Sequence, residues 1–102
     1  MIGSWGTEMG VLHLLSQPPG PVWESLVPRL GDGDRVLLLG DGVYGLRHPL
    51  LGRLQDTGAG IAALAPDLVA RGVEPPGAEG IRVIDYEEFV DLTVACVRIL
   101  SW

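Results

Sequence analysis

Four apolar runs, separated by turns rich in glycine, proline and aspartate, set the order of the chain. In the second, Val36-Leu37-Leu38-Leu39, four large aliphatics stand between the turns Gly31-Asp32-Gly33-Asp34 and Gly40-Asp41-Gly42. An unbroken run bounded in this way reads as a strand buried on both faces, the kind found in the middle of a parallel sheet. Val11 to Leu15 reads as the first strand and Ile61 to Ala65 as the third. Ile81 to Ile84 is the fourth, and its alternation suits a less buried position.

Helical spacing fills the intervals. Trp23, Leu26, Val27 and Leu30 recur at three and four residues, which predicts a helix over Val22 to Leu30, shortened or kinked by Pro28. Val43 to Arg47 and Pro49 to Leu54 form a second helical region. His48-Pro49 interrupts it, because the residue before a proline is pushed out of the helical conformation. Pro66 to Gly72 gives a third helix closed by glycine. Asp85 followed by Glu88 has the form of a capping box and opens the last helix. That helix is expected to run from Tyr86 to about Leu100, with Phe89, Leu92, Thr93, Cys96 and Ile99/Leu100 on one face. Ser16 to Pro21 and Glu74 to Gly80 read as loops. Residues 1–8, glycine- and serine-rich and without periodicity, read as an extension preceding a single domain over 9–102. Strands and helices that alternate in this order predict a small α/β sandwich with a mainly parallel sheet of about four to five strands.

Composition adds an expectation about partners. A hydrophobic fraction of 47% is high for 102 residues, and no apolar run approaches the ~20 residues of a membrane span. Part of the surface is therefore expected to meet another subunit, and no membrane contact is expected. The net charge is −6 and the seven cations are dispersed arginines, which argues against direct nucleic-acid binding. One cysteine, Cys96, excludes an internal disulfide or a CxxC pair. No charged and then apolar leader is visible, so the cytoplasm is the expected compartment.

Candidate chemistry is sparse. His13 lies in a strand among aliphatics with no nucleophile or carboxylate beside it in sequence, and reads as a polar residue bonded to backbone or to a partner. His48 reads as a surface residue. Cys96 falls on the apolar side of the last helix, where a thiol behaves as a small hydrophobe, and Arg98 is its only cation close in sequence. Gly40-Asp41-Gly42 stands where a glycine-rich turn could cradle an anion, but neither phosphate-loop pattern is present and Asp41 would repel a phosphate. Asp41, Asp67 and Asp85 each follow a strand, so they share the sheet's carboxyl edge, where ligands bind in open α/β sheets. A divalent-metal site made of these three is one reading. Asp85 as an N-cap and Asp67 as a helix-start residue is the other.

Several motifs together resemble the TusB/DsrH family of sulfur-relay subunits. They are Leu12-His13, Gly31-Asp32-Gly33-Asp34 leading into Val36 to Leu39, the exit Asp41-Gly42-Val43-Tyr44, Leu64 to Gly72, Val83 to Thr93, and the terminal Trp102. The resemblance implies a three-layer α/β sandwich of the DsrEFH type, related to flavodoxin. It further implies a heterohexamer with homologous TusC/DsrF-like and TusD/DsrE-like subunits, which passes sulfur to a TusE/DsrC-like acceptor. The pathway implied is 2-thiouridine synthesis at the tRNA wobble position or dissimilatory sulfur oxidation. DsrH-type members often carry a cysteine near the place of Ser25-Leu26, and this chain has none there, which leaves an accessory, structural or docking role without a catalytic residue; no cofactor is expected. Cys96 matches a cysteine near the end of some DsrH-type chains and is the one candidate sulfur carrier. His13, Asp41, Gly42, Asp67, Asp85 and Tyr86 are the candidate docking or sheet-edge residues. The alternative is a stand-alone small-molecule or metal-binding flavodoxin-like domain.

Overall fold

The computed structural model describes residues 10–75 and 80–102. The expected N-terminal extension and residues 76–79 of the expected loop lie outside the described residues. Five strands form one all-parallel sheet: β1 (Val11–Leu15), β2 (Arg35–Leu38), β3 (Gly60–Leu64), β4 (Ile81–Ile84) and β5 (Arg98–Ser101), in the order β4-β3-β2-β1-β5. β2 holds the middle place, and every residue of it is buried. β4 is an edge, as its alternation predicts.

The chain steps outward from β1 to β4 through α1 (Pro21–Leu26), α2 (Leu50–Gln55) and α3 (Ala65–Arg71). It then crosses back through α4 (Tyr86–Ala95) to add β5 beside β1. Right-handed crossovers put the first three helices on one face and α4 on the other, because the direction of travel reverses once. The packing agrees. Trp23, Leu26, Leu51, Leu54 and Leu68 join Leu15, Val36, Leu38, Ile61 and Ala63 in one core. Leu92, with Phe89 and Cys96 against it, joins Leu12, Leu37, Ala62, Leu64 and Ile84 in the other. Alternate residues of each strand thus feed opposite layers, and the result is the expected three-layer α/β sandwich.

Local differences from the expected elements have identifiable causes. Pro28 divides the first helix into α1 and a 3₁₀ turn, Val27–Arg29. Gly40-Asp41-Gly42, expected as a plain turn, opens a 3₁₀ segment that runs to Arg47. The last helix stops at Ala95, not near Leu100, because Cys96 leaves the helical conformation (φ −86°, ψ 146°) and the chain re-enters the sheet. Arg98–Ser101 then pair in parallel with Val11–Leu14. The apolar spacing of α4 continues through Ile99 and Leu100, so periodicity alone carries the helix too far. The β-branched Val97 and Ile99 fit the strand.

Candidate functional site

The carboxyl edge of the sheet is built by turns that follow β2 and β3. Gly40 takes a left-handed conformation (φ 52°), and its N–H donates to Asp67 Oδ2 at 2.7 Å. Asp67 lies in the first turn of α3, where a carboxylate suits the exposed amides. One helical turn on, Arg71 Nε donates to Asp41 Oδ1 at 3.0 Å while Nη1 stands 3.9 Å from Asp67 Oδ1. The bond to Asp41 is the main reason that the Arg71 guanidinium is held above its usual range. Gly42 is buried against strand one, and a Cβ there would run into the Leu15 carbonyl oxygen. Asp41, Gly42 and Asp67 therefore form one braced corner. Arg71 is the residue that sequence reasoning missed, because dispersed arginines give no local hint of which acids they join.

This bracing decides the chemistry of the corner. The Gly40 amide that an anion would need is already given to Asp67, and two of the three acids offered for a metal already share Arg71. The third, Asp85, caps α4 as expected. Its Oδ1 accepts from Glu88 N at 2.8 Å, and its own N–H donates to Glu88 Oε1 at 3.2 Å. Among the described residues, no group of three or more His, Cys, Asp or Glu side chains is gathered to hold a metal ion. Tyr86 begins α4 with its side chain exposed. Replacing Asp67 by alanine strands the Gly40 donor and is expected to cost about 1–2 kcal/mol, with Asp67→Asn recovering most of it in urea melts.

His13 behaves differently from its expected reading. It sits in the middle of β1, only 3% exposed, and its Nδ1 accepts from the indole N–H of Trp102 at 2.9 Å. The hydrogen-bond partner at Nδ1 is a side chain 89 residues away in sequence. The two rings lie 6.0 Å apart at 41°, and the Arg29 guanidinium stands 5.6 Å from the Trp102 ring centroid. Accepting at Nδ1 fixes the neutral imidazole with its proton on Nε2, and Nε2 is buried without a partner among the described residues. Burial pushes the His13 pKa down and Asp34 offsets this in part. Trp102 also closes the backbone, since its N–H donates to Leu14 O (2.8 Å) and its oxygen accepts from Ser16 N and Oγ. His48 is exposed, as expected, and its Nδ1 accepts from Leu50 N.

Cys96 follows the last turn of α4 and packs half-buried on the second core. Burial pushes its thiol pKa up, which leaves little thiolate, and a smaller opposing pull comes from Arg35. The cation that acts on Cys96 is thus Arg35 on β2, which is distant in sequence. No base stands ready to activate the thiol among these contacts.

The comparisons agree with this architecture. The family described as "DsrH like protein" matches residues 22–98. The chain is 37% identical over 95 residues to "Protein TusB" of Pectobacterium carotovorum, covering 90% of this chain and all of that one. It is 36% identical over 97 residues to "Protein TusB" of Escherichia coli K12, again over 90% of this chain and the full relative. Protein Tm0979 of Thermotoga maritima superposes with a TM-score of 0.64 at 26% identity, covering 82% of this chain and 91% of that chain. The ychN protein of E. coli, at 16% identity and a TM-score of 0.67, covers 93% of this chain and 99% of its own and shares the fold. With a family model matched over most of its length and relatives at this identity and coverage, the chain belongs to the TusB/DsrH family.

Proposed function

We propose that the chain is an accessory, non-catalytic subunit of a cytoplasmic sulfurtransferase complex of the sulfur-relay type. The observation that carries this reading is the state of Cys96 in a member of this family. The one thiol of the sequence is packed on the core with its pKa raised, while a sulfur carrier needs an accessible thiolate. The persulfide-forming cysteine is then supplied by a TusD/DsrE-like subunit, and a TusC/DsrF-like subunit completes the heterohexamer. Sulfur passes on to a TusE/DsrC-like acceptor, for wobble-uridine 2-thiolation of tRNA or for dissimilatory sulfur oxidation. The dispersed arginines and the net charge of −6 support contact with proteins and not with RNA.

Co-expressed with TusC/DsrF-like and TusD/DsrE-like subunits, the chain is expected to co-purify with both at fixed stoichiometry. Cys96→Ser is expected to leave sulfur loading of the TusD/DsrE-like cysteine unchanged by intact mass. Absence of any stable complex, or a persulfide adduct on Cys96 whose loss stops transfer, sinks the accessory reading. The tRNA branch predicts loss of 2-thiouridine when the gene is deleted, and the oxidative branch predicts none.

A further inference from the structure

Among the described residues, α4 is the only helix on its side of the sheet, and its two faces are used unequally. Phe89, Leu92 and Cys96 turn inward to the second core. Tyr86, Val90 and Val94, four residues apart and so one above another, are exposed. Val94 is 81% and Val97 85% exposed, and the exposed Ile99 carries the apolar surface onto the edge strand β5. Nothing in the isolated fold gains from these side chains. Valine is a weaker helix former than the polar residues usual on an exposed helix face, and here it buries little apolar area in return. Tyr86, Glu87, Val90 and Asp91 line a shallow groove along the same surface.

The acids beside the stripe say what could cover it. Glu87 and Asp91 make no ion pair with any described residue. A second copy of α4 laid against the first would bring these uncompensated carboxylates near one another, which is destabilising at an interface. We infer that the outer face of α4, continued through Val97 to Ile99, is a docking surface for a different protein chain that offers an apolar face rimmed by Arg or Lys. The inference rests on the reading of this chain as a subunit of a sulfur-relay complex and assigns that subunit its contact surface. Apolar contact at Val90, Val94 and Val97 supplies the water-free centre, and Glu87 and Asp91 select against acidic partners and self-association.

The test uses the full chain co-expressed with the TusC/DsrF-like and TusD/DsrE-like subunits of its own genome. Three variants are compared with the unaltered chain: Val90→Glu with Val94→Glu, Glu87→Lys with Asp91→Lys, and Val69→Glu. Val69 is equally exposed but lies on α3 across the sheet, so it controls for added surface charge. All the altered side chains are exposed, and thermal melts are expected to show each variant folded. The two α4 variants are expected to lower the co-purified fraction tenfold or more, with Val69→Glu unchanged. If the unaltered chain forms the complex and the α4 variants retain it, the docking surface is wrong and the relay reading stands. If the unaltered chain forms no complex, both fall. A dimer of the chain alone that the valine substitutions dissociate replaces the foreign partner with a second copy and overturns the assignment.

Discussion

Trp23→Ala is expected to lower the stability of the domain by about 3–5 kcal/mol, the range for emptying a large aromatic site in a core. Trp23 is fully buried in the layer between the sheet and α1, and its indole N–H donates to Gln17 O at 2.8 Å, which ties down the proline-rich loop. Its ring lies on the backbone of Gly45, where a Cβ would collide with the six-membered ring. Gly45→Ala is therefore destabilising for a reason that Trp23 supplies. In a double-mutant cycle, the alanine at position 45 should cost much less once Trp23 is alanine, because the obstructing ring is gone. Chemical denaturation of the four proteins gives the coupling. Additive losses would show that the ring does not rest on Gly45.

Part of this architecture was open to sequence reading because its signals are local. The aliphatic run of β2 between two aspartate-glycine turns identifies a central parallel strand without reference to any other element. The cap Asp85 and its Glu88 are three residues apart, and so their reciprocal bonds could be anticipated. β5 could not be read in the same way. Residues 97–100 extend the apolar spacing of α4, and what makes them a strand is the free edge of β1, to which they supply hydrogen-bond partners. The candidate site divides along the same line. That Asp41 and Asp67 follow strands is legible, but that Arg71 joins them is a tertiary fact. The pairing of His13 with Trp102 depends on β5 lying beside β1. A helix that ran on to Leu100 would carry Trp102 away from His13 and leave the histidine without its partner.

That pairing makes stability depend on pH in a defined direction. The indole N–H of Trp102 donates to Nδ1, so the bond exists only while Nδ1 carries no proton. Burial is the larger influence and lowers the His13 pKa, while Asp34 raises it by less. The other charged group near the pair is Arg29, which sits over the Trp102 ring. In the unfolded chain the imidazole titrates near its ordinary value of about 6.5. Between that value and the lower folded one, the unfolded state binds more protons, so stability rises with pH. The contribution is complete above the unfolded pKa, and it is lost as pH falls from there through the folded pKa, at no more than about 1.4 kcal/mol per pH unit. His13→Asn keeps an acceptor near the place of Nδ1 and does not titrate. The stability difference between the natural chain and this variant is therefore expected to shift against the natural chain as the pH is lowered from neutral to mildly acidic. Trp102→Phe supplies the second arm, because it keeps the ring and removes the donor that favours neutral His13. The His13 ring resonances, followed by NMR, should titrate below the ordinary value in the natural chain and at a higher pH in Trp102→Phe. Equal titration in the two proteins would mean that the indole bond does not set the protonation of His13, and burial alone would then have to account for its neutral state.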